Sequence, residues 1–185
     1  PYLMQQIVAR DWEVIANGLD MGHPHHGDMD SGEEAALIKG VLATLRGMSG
    51  QKVRGWLSPI RSESMNTPDL VAAEGIEYLC DWANDDMPYP FETASGSIHN
   101  MPHTMELDDQ QILIALRHTE QEYVDQLKDQ FDCLYAESVN SGGRIMAINL
   151  NPWVTGQAYR IKKLEEALSY ITGHDGVWSA TGGEI

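Results

Sequence analysis

Short apolar runs alternate with longer helical segments along this chain, and that alternation limits its fold more than any other feature. Residues 12–16 (WEVIA), 52–57 (KVRGWL), 77–82 (EYLCDW) and 144–150 (RIMAINL) read as strands, with residues 177–180 as a last one. Between the first two, Ser31 is expected to cap a helix, with Glu34 three residues on completing a capping box. Ala35, Ile38, Leu42 and Leu45 recur there at helical spacing, and Gly47 and Gly50 bracket the end. Thr67-Pro68 starts a second helix, which Gly75 ends. Residues 91–103 read as two short strands around Ser95-Gly96. Residues 107–139 hold one or two helices, with Tyr123, Leu127, Phe131 and Leu134 on one face, and residues 157–170 form another. Strands separated by helices of 10–20 residues imply βαβ units and a parallel sheet covered on both faces. The expected fold class is therefore α/β.

The 185 residues carry no repeat, low-complexity tract or linker, so residues 1–185 read as a single domain. Hydrophobic residues make up 42% and charged ones 22%, which is a globular composition rather than a disordered one. The formal charge of −16 argues against a phosphate-backbone binder and against docking on anionic lipid. No apolar run reaches the ~18 residues of a membrane span. Cys80 and Cys133 lie in apolar runs and read as buried thiols in a reducing, cytoplasmic setting, a disulfide being the alternative. Residues 1–10 read as the middle of an amphipathic helix, and residues 181–185 as a loop entering one, so further sequence is expected at both ends.

In parallel α/β folds the working residues sit on loops at the carboxyl ends of strands. Here those loops concentrate His, Asp, Glu, Ser, Asn and Arg. His23, His25, His26 and Asp28 offer metal-ligand chemistry, although a Gly/Pro-rich loop fixes ligands poorly and a solvated loop explains the same residues. Asp85 and Asp86, in the acidic turn after residues 77–82, are candidate proton carriers, since clustered carboxylates raise one another's pKa. An ordinary solvated turn is the alternative. Arg54 and Arg61 can orient an anionic or carbonyl group, with Glu63 beside them. Trp56 serves either the core or a substrate. No Gly-x-Ser-x-Gly elbow, phosphate loop or Cys-x-x-Cys occurs, so serine-nucleophile and nucleotide chemistry are not expected.

Six runs in order carry a family resemblance. They are residues 54–59 (RGWLSP), 78–88 (YLCDWANDDMP), 102–109 (PHTMELDD), 129–135 (DQFDCLY), 151–160 (NPWVTGQAYR) and 176–182 (GVWSATG). Together they resemble the polysaccharide deacetylase superfamily, and within it the allantoinase-like and cyclic-imidase-like branch. The resemblance covers the whole chain and aligns it with the last two-thirds of a longer family chain. It implies a distorted (β/α) barrel, here lacking its N-terminal strands, and hydrolysis of an amide-type C–N bond. The family's acidic motif would lie upstream of Pro1. Its His-Gly motif maps onto Asn17-Gly18 and its His-Pro motif onto Asn151-Pro152, so two imidazoles are replaced by carboxamides, which neither carry protons near neutral pH nor ligate metals well.

The expected activity is hydrolysis of non-peptide C–N bonds in small amides, ureides or cyclic imides. The alternatives are a non-catalytic or regulatory subunit that keeps the fold, and a carbohydrate N-deacetylase. Asp85, Asp86 and Glu63 are the expected catalytic residues; Arg54, Trp56, Arg61, Trp82, Glu106, Asn151 and Trp153 are expected to hold substrate. No cofactor is expected. A divalent metal is possible only through His23, His25 and Asp28. The expected partners are a small amide or ureide and further copies of the chain or a second chain, with no nucleic acid and no membrane. A sheet lacking its first strands exposes unpaired edge groups, so the 185 residues alone are expected to be unstable.

Overall fold

The βαβ pattern forms around a few buried side chains: Trp56 and Leu79 lie on adjacent strands, Ala16 bridges to Trp56, and Ile38, Leu42 and Val71 cover them from helices. The computed structural model describes residues 2–185. Its elements in order are α1 (Tyr2–Val8), α2 (Ser31–Ser49), β1 (Gly55–Trp56), a 3₁₀ turn (Pro59–Arg61), α3 (Thr67–Ala73), β2 (Tyr78–Leu79), β3 (Tyr89–Thr93), β4 (Gly96–Asn100), a π-helical turn (Gln110–Ala115), α4 (Glu120–Ser141) and α5 (Ile161–Thr172). The sheet order is β1-β2-β4-β3. β1 pairs β2 in parallel (Gly55↔Tyr78), β2 pairs β4 in parallel (Tyr78↔His99), and β3 and β4 form an antiparallel hairpin. Ala16 adds a single parallel bridge to Trp56. Two helical crossovers thus join parallel neighbours, and the α/β expectation holds. Gly55 is required because a Cβ there would lie 2.3 Å from the Tyr78 ring.

The contacts divide the chain into two compact units. The first holds the sheet, α1, α2, α3 and residues 180–185. The second holds residues 84–87 and 102–179, where α4 and α5 pack Tyr123, Val124, Leu127 and Ala167 together with Ile112, Leu113 and Val154.

Several local expectations are corrected. The cap of α2 is Asp30, not Ser31: its carboxylate accepts from Gly32 N and Glu33 N at 2.9 and 3.0 Å. Glu34 is thereby released from capping and turns inward, on the same helical face as Ile38, Val41 and Leu42. Residues 12–16 contribute only the Ala16 bridge. Residues 144–150 form no strand, because loops meet their polar groups. Ile145 N donates to Asp86 O (2.9 Å), Asn149 O accepts from Asp109 N (3.2 Å), and Asn149 Nδ2 donates to Thr104 O (2.7 Å). Residues 177–180 likewise join no ladder. Both cysteines are free; Cys80 is buried, but Cys133 is exposed, because it lies off the α4 face that buries Tyr123, Leu127, Phe131 and Leu134. Among the described residues, no helix is long and apolar enough to cross a membrane.

Candidate active site

At the carboxyl ends of β1 and β2, within the first unit, the fold gathers three carboxyl groups, one imidazole and two indoles. Asp81 follows β2 and is 8% exposed. Its Oδ1 accepts from Ser58 N (2.6 Å) and its Oδ2 from Ser58 Oγ (2.8 Å), while Ser58 Oγ accepts from Trp56 Nε1 (2.9 Å). Burial pushes the Asp81 carboxyl above the usual aspartate value; the Ser58 bonds and the charges of Arg61 and His25 oppose the rise without cancelling it.

Glu63 stands beside it. Its Oε1 accepts from Trp82 Nε1 (2.7 Å), and Trp82 is braced edge-on against Phe91, with ring centroids 4.8 Å apart. The other oxygen, Oε2, is shut away from solvent and has no hydrogen-bond partner in the protein. Burial raises the Glu63 pKa, the Trp82 bond lowers it, and the negative charges of Asp81 and Glu34 raise it further. The net shift is upward.

The third carboxyl is held the other way. Glu34 is fully buried in α2. Burial would raise its pKa, but hydrogen bonds from Ser64, Thr67 and His25 outweigh that and hold it below the usual glutamate value. Ser64 Oγ donates to Oε2 (2.6 Å), Thr67 Oγ1 donates to Oε1, and His25 Nδ1 lies 2.8 Å from Oε1. His25 is 1% exposed, lies edge-on to Trp56 at 5.6 Å, and accepts on its backbone carbonyl from Ser62 Oγ.

The loop between β1 and α3 brings these groups in on a strained path. Ile60 and Arg61 both have left-handed backbone, with φ of 49° and 56°. Non-glycine residues pay about 1–3 kcal/mol each for such conformations, which persist where the surroundings enforce them. Gly18, with φ 59°, lets the preceding loop pass over this turn; a Cβ there would lie 2.1 Å from Pro59 Cγ.

Of the residues singled out in the sequence, Glu63, Trp56, Arg61, Trp82 and His25 come together here. Arg54 lies at the opposite, amino end of β1, paired with Glu77 at 2.6 Å and donating to Gly183 O. His23 is exposed and paired with Asp20 at 2.8 Å, and Asp28 is also exposed. The remainder belong to the second unit. Asp85 and Asp86 form an exposed turn in which Asp85 Oδ1 accepts from Met87 N (3.2 Å). Glu106 is exposed and accepts from Thr104 Oγ1. Trp153 is exposed. Asn151 is tied to fully buried Asp109, which accepts from its Nδ2 (2.7 Å) and backbone N (3.0 Å) and from Thr155 Oγ1 (2.8 Å).

Asp81, Glu34 and Ser58 complete the cluster; Asp81 and Ser58 lie in the acidic and arginine-bearing runs read from the sequence, but none of the three is among the expected site residues. Glu34 had a readable signal: it falls four, seven and eight residues before Ile38, Val41 and Leu42, on the apolar face. Asp81 had another, since it follows directly on a strand with both residues buried.

Within the first unit, Asn17 offers a carboxamide, a weak metal ligand, and His25 Nδ1 is engaged by Glu34. Among the described residues, no three His, Cys, Asp or Glu side chains gather to hold an ion.

No family model matches the chain. It is 30% identical over 112 residues, 55% of its length, to a Schizosaccharomyces pombe protein that carries the polysaccharide deacetylase name, and covers 35% of that protein. All of the chain superposes on a polysaccharide deacetylase structure from Pseudomonas aeruginosa, with TM-score 0.87 and 26% identity. It superposes equally on the crystal structure of an allantoinase, with TM-score 0.88 and 25% identity. In sequence and in fold the chain is thus similar to proteins that carry the polysaccharide deacetylase and allantoinase names. Its fold is the α/β fold of those two structures, and it spans 61% of the length of each.

Proposed function

We propose that this chain carries the acid–base half of a site that hydrolyses non-peptide C–N bonds in small amides, ureides or cyclic imides. The observation that carries the reading is Glu63: one oxygen is committed to Trp82, and the other is buried, unpartnered and beside a second carboxyl. A carboxyl whose pKa is raised in this way keeps its proton to higher pH and suits a proton donor, because its protonated form relieves the repulsion from Asp81 and Glu34. In amide hydrolysis the proton goes from Glu63 Oε2 to the leaving nitrogen as the C–N bond breaks, and Glu63 is left ionised. Asp81, hydrogen-bonded on both oxygens and facing Arg61 and His25, is the better placed of the two to ionise and orient the attacking water. Arg61 and Trp82 then frame the substrate.

The substrate should be uncharged. A carboxylate group on it would meet Asp81, Glu34 and a chain of net charge −16. Allantoin, hydantoin and succinimide satisfy that condition. A carbohydrate N-deacetylase is the second reading, favoured by the name of the S. pombe and P. aeruginosa relatives. A non-catalytic subunit paired with an intact homologue is the third, favoured by the carboxamides Asn17 and Asn151.

The test is release of carboxylate or acetate by the purified full-length protein, assayed on allantoin, hydantoin, succinimide and an N-acetylglucosamine oligomer. Ring opening of a cyclic compound is the expected result. Acetate release alone selects the deacetylase. No turnover of any of them, with or without added divalent ions, together with co-purification of a second chain, selects the subunit.

A further inference from the structure

We infer that Glu34 is a positioning residue that locks buried His25 into one tautomer, with the proton on Nδ1 and the lone pair on Nε2. The geometry decides the tautomer. An ionised carboxylate can only accept hydrogen bonds, so the nitrogen 2.8 Å from Glu34 Oε1 must be the one that carries hydrogen. Glu34 itself cannot turn away, since Ser64 Oγ and Thr67 Oγ1 anchor its two oxygens, and both hydroxyls come from the loop and helix that follow the strained Pro59–Arg61 turn. His25 is fixed as firmly: its carbonyl is held by Ser62 Oγ, and its ring stands edge-on to Trp56.

The consequence lies at Nε2. A neutral imidazole with Nδ1–H has its lone pair on Nε2, and that atom is the one left to take a proton. His25 and Asp81 are both anchored at Trp56: the His25 ring stands edge-on to it, and Ser58 Oγ, which accepts from Trp56 Nε1, donates to Asp81 Oδ2. A proton taken up at Nε2 leaves His25 an imidazolium, which Glu34 stabilises through the retained Nδ1–H bond. The chain thereby keeps a working imidazole although Asn17 and Asn151 hold carboxamides. Three of the four groups that hold this arrangement, Ser62, Ser64 and Thr67, lie between β1 and the first turn of α3, so the histidine loop and the carboxyl loop are pinned as one piece.

The catalytic part rests on the hydrolase reading; the tautomer does not. The experiment is ¹⁵N NMR of the full-length protein labelled at histidine, in the wild type and in Glu34→Gln, alongside kcat and KM on whichever amide is turned over. The wild type should show His25 with a protonated Nδ1 and a bare Nε2. Glu34→Gln, whose amide can donate to Nδ1, should move the proton toward Nε2 and lower kcat by about 10–100-fold, with KM nearly unchanged. A wild-type His25 protonated at Nε2 alone overturns the inference, with no variant needed. So does a tautomer shift in Glu34→Gln with kcat unaltered. If the protein turns over none of the amides, the hydrolase reading fails while the tautomer measurement still stands or falls by itself.

Discussion

Glu63→Gln should reduce kcat/KM by about 10²–10⁴-fold, the range that removal of a general acid typically costs. The substitution is close to isosteric. The glutamine carbonyl can still accept from Trp82 Nε1, so the Trp82–Phe91 contact that braces the loop survives. What is lost is the transferable proton on Oε2. Stability should move the other way. A carboxyl whose pKa is raised by folding contributes stability below its unfolded value and loses it as pH rises toward its folded value. Near neutral pH the wild type therefore carries a penalty that glutamine does not. Glu63→Gln should melt at the same temperature as the wild type or slightly above it, and a thermal melt at pH 7 beside steady-state kinetics separates the two effects. A large fall in both quantities would mean that Glu63 holds the loop together rather than carrying a proton.

The largest stability effect should come from Glu34→Ala. That change strips partners from His25 Nδ1, Ser64 Oγ and Thr67 Oγ1 at once, all in a region closed to solvent. Breaking a buried charged network by removing one member costs about 3–5 kcal/mol, and denaturant unfolding of the full-length protein measures it. The pH dependence carries the opposite sign to that of Glu63. Glu34 is held below its ordinary value in the folded protein, so its contribution is present above the unfolded glutamate value and is lost as pH falls through the lower folded value. The Ala variant should lose stability mainly at neutral pH, and the gap to the wild type should close in acid.

Much of the architecture was legible because period and punctuation agree. The Ser95-Gly96 turn marked the β3–β4 hairpin, and the parallel order followed from helices at βαβ spacing. The misread strands show the limit of such reading. Residues 144–150 are as apolar as a buried strand, but a strand exists only where a neighbour supplies a ladder, and here Asp86, Asp109 and Thr104 supply the polar partners instead. The site was half legible. Glu63, Trp56, Arg61 and Trp82 could be found because they lie at the end of a strand or on the loop after it. Glu34 was hidden by its place in a helix start, where a glutamate three residues after a serine has an ordinary capping role. Asp30 takes that role, so the spacing that puts Glu34 on the face of Ile38, Val41 and Leu42 was the signal to follow. His25 looked like part of a solvated loop because its neighbours His23, Gly27 and Asp28 are exposed; its burial depends on Glu34 and Trp56, which are distant in sequence.

Burial should hold the Glu63 proton to higher pH than an ordinary glutamate does, as the acid of this site requires, and a direct titration of that carboxyl tests it. In full-length protein labelled with ¹³C at glutamate carboxyls, the Glu63 resonance, assigned by its loss in Glu63→Gln, should titrate above the ordinary glutamate value. Trp82→Phe, which deletes the hydrogen bond that favours the ionised form, should move the titration higher still. A Glu63 resonance that titrates at or below the ordinary value, unmoved by Trp82→Phe, would contradict the account.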